Sequence, residues 1–426
     1  TQSRSSAASD VYKRQIVYWL RTLFIFELYG GNVKKRVLIG IVIVLCVVLG
    51  IIFLPREIEE IVGSSEKISE AQIYQVKDDE VAIVYNYSLQ KAKAVYKDGV
   101  VYIPLNWTRS ILNDKFYYSD DEKLLSYALP TEIVYANFEN KDKNGKPLLL
   151  EKDNKTYISI ETVKTYTDIW TDTFTDGDIK KIYINDNFGE YEEGNVKAKS
   201  ALRVDASMLS ASIENVELEK DSKVTVVEQK GKWDKVLTES GVMGYIRRKH
   251  LKNINKGNRV SSFVKPEYTS MSMDEKVVLG WHQVTASAAN KNFTKVVDNT
   301  KGMNVISPTW FKLSDNKGNY TSIASKDYVD AAHKKGLKVW PLIDNFSDKI
   351  STLKILSSST SRKKLIENLM SDTKKYGFDG INIDFEYLTQ DNAPHFIEFI
   401  REISVSCRNN KVVLSVDCLL YTSDAA

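Results

Sequence analysis

Cysteine, histidine and net charge are all scarce in this 426-residue sequence, and each scarcity closes off a class of protein. Of three cysteines, Cys46 lies in an apolar run, Cys407 in a stretch of helical periodicity and Cys418 near the end, so there is no disulfide framework. The four histidines lack the spacing of metal ligands. The 59 basic residues are nearly cancelled by 56 acidic ones, and the resulting +3 argues against a nucleic-acid-binding surface. What remains is ordinary globular material, 43% hydrophobic and 27% charged, long enough for about two to four domains.

Both ends read as something other than protein. Ser5 to Gln15 can be encoded by a DNA element whose reverse complement, in a shifted frame, yields Cys418 to Ala426. That element is similar to a transposon-end adapter used in sequencing libraries, so residues 418–426 are expected to be adapter-derived and the native sequence to stop near Asp417. Gly30-Gly31-Asn32-Val33 can encode a ribosome-binding site followed by a GTG start. Residues 1–32 are therefore expected to combine adapter-derived sequence with an untranslated leader, a cytoplasmic tail being the alternative for residues 16–32.

Val37 to Leu54, behind Lys34-Lys35-Arg36, is an apolar run of about 18 residues, enough to cross a bilayer core. No small-x-small cleavage site follows it. Residues 33–54 are thus expected to be an uncleaved, single-pass transmembrane signal anchor in the cell membrane, with the domains after Pro55 extracytoplasmic.

From 73 to 190 the chain repeats itself at a spacing of about 55 residues. Lys97-Asp98-Gly99-Val100 returns as Lys152-Asp153-Asn154-Lys155, and Asp120-Asp121-Glu122-Lys123 as Thr175-Asp176-Gly177-Asp178. Each unit reads as a hairpin turn, a strand, a short helix and another strand. The pattern resembles the copper amine oxidase N-terminal-like α+β domain of Gram-positive surface proteins, though no copper ligands are visible, and the resemblance implies a spacer or wall-binding module. Residues 196–254 carry short strands with glycine turns, Trp233 and Gly244-Tyr245-Ile246, and resemble a bacterial Src-homology-3-type (SH3-like) barrel. That resemblance makes Tyr245 a candidate for a peptidoglycan-binding groove, the alternative for Trp233 and Tyr245 being core packing. Residues 255–274 are polar and read as a linker.

After 275 the rhythm becomes strand and helix in alternation. Lys276–His282, Asn304–Leu313, Leu337–Asp344, Ile381–Glu386 and Val412–Asp417 are strand-like; Lys326–Lys335, Ser361–Tyr376 and Ala393–Asn409 are amphipathic and helical. This argues for a parallel sheet. In the fourth strand, Asn382, Asp384 and Glu386 alternate with Ile381, Ile383 and Phe385, which sets the polar groups on one face. Carboxylates two apart on a strand lie roughly 6 to 7 Å from each other, so one can hold a proton near neutrality while the other stays ionised.

Asp379-Gly380-Ile381-Asn382-Ile383-Asp384-Phe385-Glu386 resembles the D-G-x-D-x-D-x-E signature of family 18 glycoside hydrolases, the chitinase-like enzymes. Asn382 departs from the usual Asp and is similar to the variant in bacterial cell-wall and spore-cortex N-acetylglucosaminidases. The resemblance implies a TIM barrel with this motif on its fourth strand. It also implies a substrate-assisted retaining mechanism, in which Glu386 is the general acid and Asp384 orients the substrate's N-acetyl group. Asp379 would support Asp384 electrostatically, and Asn382 would supply hydrogen bonds. Asp344 and Asn345 are candidates for binding sugar hydroxyls. Trp310 is read either as a sugar-stacking face or as barrel packing, Trp340 as packing, and the lone His282 as structural.

The expected whole is multidomain: a transmembrane helix, an α+β repeat module, a small all-β SH3-like barrel, and a truncated α/β TIM barrel at 275–417. Five strands precede the adapter where a closed barrel has eight, so the chain as written is expected to be inactive. The expected partner is an N-acetylglucosamine-bearing glycan, peptidoglycan ahead of chitin. The resemblance implies no metal or organic cofactor. The alternative to an enzyme is a chitinase-like lectin, against which the retained Asp384 and Glu386 argue.

Overall fold

A computed structural model of the protein describes residues 64–77 and 79–417, together with helical residues 40–42, 44 and 45. The expected leader at 1–32, the adapter-derived end at 418–426 and most of the expected anchor at 33–54 lie outside the described residues. Among the described residues no helix is long and apolar enough to cross a membrane. The chain forms two compact units: one takes the chain up to Ile73 with Tyr191–Gly257, the other Tyr74–Glu190 with the chain from Asn258 onward.

The first unit is an eight-stranded sheet. Its order is Lys67–Ile68, Ser212–Leu218, Ser200–Arg203, Met243–Arg247, Trp233–Thr238, Lys223–Lys230, Gly189–Val196 and Leu251–Arg259. Strand alternation sends Leu202, Ile213, Val224, Val236 and Ile246 into one core. Gly244 is required there, because a Cβ at this position would lie 2.6 Å from Leu202 and 2.8 Å from the Arg203 carbonyl.

In the second unit, residues 74–190 build two sheets. The strands are β1 (Glu80–Tyr85), β2 (Ser88–Lys97), β3 (Val100–Pro104), β4 (Tyr117–Ser119), β5 (Leu124–Ala128), β6 (Ile133–Ala136), β7 (Leu149–Lys152), β8 (Lys155–Ser159), β9 (Trp170–Phe174) and β10 (Lys180–Asn185). Seven pair in the order β9-β10-β1-β2-β3-β8-β7, and β4-β5-β6 form a separate antiparallel sheet. The repeated turns explain themselves. Asp98 and Gly99, and likewise Asp153 and Asn154, all have positive φ, the backbone a two-residue hairpin needs to match strand twist. Each hairpin runs through its second strand into a helical segment, Leu105–Leu112 in one copy and α1 (Ile160–Tyr166) in the other, and on into β4 or β9.

The same unit holds a row of parallel strands whose spatial order is their chain order: β11 (Leu279–His282), β12 (Val305–Leu313), β13 (Leu342–Asp344), β14 (Gly380–Asp384) and β15 (Val413–Val416). Helices α2 (Lys326–Lys334), α3 (Ser359–Tyr376) and α4 (Ala393–Asn410) fall between successive strands from β12 onward. Ser325 and Ser358 cap α2 and α3 by accepting the amide hydrogens of Tyr328 and Ser361, and Gly377 ends α3 in the left-handed conformation. Ile343, Ile381, Ile383 and Phe385 pack with Leu365, Leu369, Phe399 and Ile403 of α3 and α4. This is the strand–helix layout of a TIM-barrel-type fold. Among the described residues, β11 and β15 are its outer strands.

One expected strand is split. Lys338–Val339 and Leu342–Asp344 form separate segments, because Trp340-Pro341 interrupts them and Pro341 has no amide hydrogen for the ladder.

Candidate active site

The carboxyl ends of β13, β14 and β15 bring four acidic side chains together. Asp344 and Asp384 are register partners across β13 and β14, Glu386 lies two residues beyond the end of β14, and Asp417 follows β15. Asn382 is fully buried between the flanking strands. Its amide Nδ2 donates to Asp417 Oδ2 at 2.7 Å and lies 3.4 Å from Ser307 Oγ of β12, which places Asn382 on the inner side of the sheet. The amide oxygen is buried without a hydrogen-bond partner in the protein.

Charge repulsion and burial act most on Asp384. Its carboxyl is pushed up to about 6, first by burial and then by Asp417, Glu386 and Asp344. Asp344 is also raised by burial, partly offset by the Phe346 amide hydrogen, which Oδ1 accepts at 2.9 Å, and by Lys312. A carboxyl that changes protonation near neutrality thus sits beside a second acid, the electrostatic arrangement that acid–base hydrolysis uses.

Asn345 fixes the loop that carries Glu386. Its Oδ1 accepts the Glu386 amide hydrogen at 2.9 Å, and its Nδ2 donates back to the Glu386 carbonyl at 2.9 Å and to Thr352 Oγ1 at 3.0 Å. The reciprocal pair ties the loop after β13 to the loop after β14. Among the described residues no cluster of His, Cys, Asp and Glu is arranged to hold a metal ion.

Residues 242–419 match the model for glycosyl hydrolases family 18. The chain contains a family 18 glycosyl hydrolase domain. A stretch of 128 residues is 29% identical to the uncharacterized glycosylase YvbX of Bacillus subtilis, covering 29% of this chain and 37% of that protein. Among solved structures, the C-terminal domain of a putative chitinase from Desulfitobacterium hafniense aligns at 18% identity and a TM-score of 0.30, over 33% of this chain and 45% of that one. The spore cortex-lytic enzyme SleL of Bacillus cereus aligns at 18% identity and a TM-score of 0.30, over 38% of each chain. The chain thus spans less than half the length of the relatives it matches.

Within the family 18 domain, the structure brings Glu386, Asp384, Asn382, Asp344 and Asn345 to one end of the sheet. It does not bring Asp379 there. Asp379 precedes β14 at the opposite end, about 16 Å of extended chain from Asp384. Its carboxylate accepts from the Val339 amide, the Lys338 ammonium and His333 at 2.8 to 2.9 Å. Burial works to raise this carboxyl, but those three partners outweigh it and hold Asp379 below the usual carboxylate value. The expected electrostatic support of Asp384 is therefore corrected: Asp379 joins the amino ends of β13's leading segment and β14.

Trp310 is corrected as well. Its side chain is 2% exposed, donates its indole hydrogen to Asn290 Oδ1 at 2.8 Å, and packs against Tyr328 and Phe378. A register shift in β12 between Thr309 and Phe311 breaks strict alternation, so Trp310 and Phe311 both enter the layer between sheet and helices. No ring face is left for a sugar. Trp340 is buried too, and its indole rests on Gly380, where a Cβ would come within 2.5 Å of Cδ1. His282 is buried and shares a 2.7 Å hydrogen bond with Tyr328; burial lowers its pKa. In the first unit, Tyr245 is half-buried on its strand, with the Lys230 ammonium 5.7 Å from the ring centre.

Ser307 and Asp417 are site residues that sequence reasoning missed. Asp417 had a legible signal, since strand periodicity carried one residue past β15 sets it on the face of Val413 and Ser415. Phe346 and Tyr387, which directly follow Asn345 and Glu386, are the exposed aromatic rings beside the acidic cluster in sequence, and Tyr387 has positive φ.

Proposed function

We propose that this protein is a membrane-anchored glycosidase that cleaves N-acetylglucosamine-containing glycan, peptidoglycan in preference to chitin, by a substrate-assisted retaining mechanism. The observation that carries the reading is the pair Asp384 and Glu386 at the carboxyl end of β14, with Asp384 raised to about 6 inside a family 18 domain. Glu386 delivers a proton to the glycosidic oxygen as the C1–O bond breaks. The substrate's own acetamido carbonyl oxygen attacks C1 and forms a cyclic oxazolinium ion, while Asp384 holds the acetamido N–H. Water then opens that ring at C1, giving its proton to Glu386, and the anomeric configuration is retained. Asn382 holds Asp417, whose charge acts on Asp384, and Asn345 positions the Glu386 backbone.

In this reading residues 37–54 hold the protein in the cell membrane, and the domains after Pro55 face the wall. The 196–254 region acts as an SH3-like wall-peptide module. The companion modules favour peptidoglycan over chitin. The test is incubation of the full-length gene product with purified peptidoglycan. New reducing ends, identified as N-acetylglucosamine after borohydride reduction and first released as the β-anomer, are the expected result. Saturable glycan binding without new reducing ends would instead favour a chitinase-like lectin.

A further inference from the structure

The helices that flank β14 carry three buried ionisable side chains, two of them paired with each other, where they meet residues 74–190. Arg362 of α3 and Glu398 and Glu402 of α4 are all fully buried. Arg362 makes a bidentate pair with Glu402 at 2.8 and 2.9 Å, donates to the Leu356 carbonyl at 2.7 Å, and lies 3.4 Å from Tyr117 Oη of β4. Burial opposes its charge, but the Glu402 carboxylate outweighs burial and holds the guanidinium firmly cationic. Glu398 Oε1 accepts from Ser126 Oγ of β5 at 2.5 Å. Tyr117 Oη also reaches His395 Nδ1 of α4 at 2.6 Å.

The rim of this contact is as specific as its centre. Glu122, in the turn between β4 and β5, accepts the Ser359 amide hydrogen at the start of α3 with both carboxylate oxygens, at 2.9 and 3.0 Å. Arg401 of α4 donates to Asp114 at 3.0 Å. Arg408 and Asn409, at the end of α4, donate to the Pro130 and Thr131 carbonyls at 2.7 and 2.8 Å. Tyr268 donates to the Ala128 carbonyl at 3.0 Å. A flexible spacer has no use for buried ionisable groups bonded across the contact, whose loss of a partner is strongly destabilising.

We infer that the β4–β5–β6 sheet of the duplicated module is a permanent docking surface for α3 and α4, so that the module braces the two helices on either side of the strand bearing Asp384. The module is then a fixed part of the hydrolase fold, and this face is closed to wall glycan. The inference concerns packing and does not depend on catalysis.

Hydrogen exchange on the full chain tests it. In the native protein, amides of β4–β6 and of α3 and α4 are expected to open in one event, with the same denaturant dependence. Tyr117→Ala is expected to speed exchange about tenfold or more in α3 and α4 as well as in β4–β6, while Trp233–Arg247 of the other unit is unchanged. Should that variant fail to fold, Tyr117→Phe, which removes only the hydroxyl shared with His395 and Arg362, is expected to speed exchange in the same two regions by a smaller factor. Separate opening of β4–β6, or acceleration confined to β4–β6 in the variant that folds, would overturn the inference.

Discussion

At the residue scale, the site rests on four carboxyl groups brought close together, of which Asp384 and Asp344 are raised by burial. Asp384 carries the largest consequence, because Asp417, Glu386 and Asp344 add repulsion to its burial. In the proposed mechanism its ionised form holds an acetamido N–H, so kcat/KM is expected to fall as pH drops through about 6. Removing a neighbouring charge lowers the Asp384 pKa, and Asp417→Asn should therefore move this acid limb to lower pH by roughly half a unit to one unit. A limb that stays in place or moves up would remove Asp417 from the electrostatics. The outlying Asp379 should behave differently. Asp379→Ala is expected to cost about 1 to 3 kcal/mol of stability while turnover per folded molecule stays near wild type, read by thermal unfolding beside the assay. Its lowered pKa gives the sign: that stabilisation is present above the unfolded carboxylate range and is lost on acidification through the folded value.

At the element scale, the parallel strands and their helices were legible because period-two and helical patterns alternate cleanly after residue 275, and the motif's inward face follows from that same alternation. The failures have local causes. Pro341 cuts one strand in two, and the register shift in β12 turns Trp310 into the core, a change no alternation pattern announces. Gly380 looked like part of a motif, but its physical role is to admit the Trp340 indole. Gly380→Ala is expected to destabilise the second unit by about 1 to 3 kcal/mol. The docking of β4–β6 on α3 and α4 was not legible at all, since Ser126 and Glu398 lie 272 residues apart in the chain. That contact has a pH signature. Glu398 is pushed up to about 7, first by burial and then by Glu402, with Ser126, Arg362 and Arg401 pulling the other way. Its folded value lies above its unfolded one, so its contribution is fully present below about 4.5 and is lost as pH rises through about 7. Glu398→Gln should flatten the decline in stability of the second unit between those limits, as measured by denaturant unfolding across pH.

At the scale of the whole molecule, a region that matches family 18 glycosyl hydrolases is combined with modules whose sequence resemblances point to the bacterial wall. The anchor reading rests on Val37 to Leu54 and its basic flank, which composition and run length alone make legible. It predicts that the protein sediments with membranes and that protease added outside intact cells digests everything after Pro55; a soluble secreted form lacking Val37 to Leu54 would show cleavage instead. The central claim is glycan hydrolysis with Glu386 as the acid, and one comparison tests it most directly. Reducing-end release from wall glycan is measured for the full-length gene product and for its Glu386→Gln variant, with glycan binding followed in parallel. The account predicts that turnover drops by about 100- to 10,000-fold while binding survives; a variant that keeps more than about a tenth of wild-type turnover would contradict it.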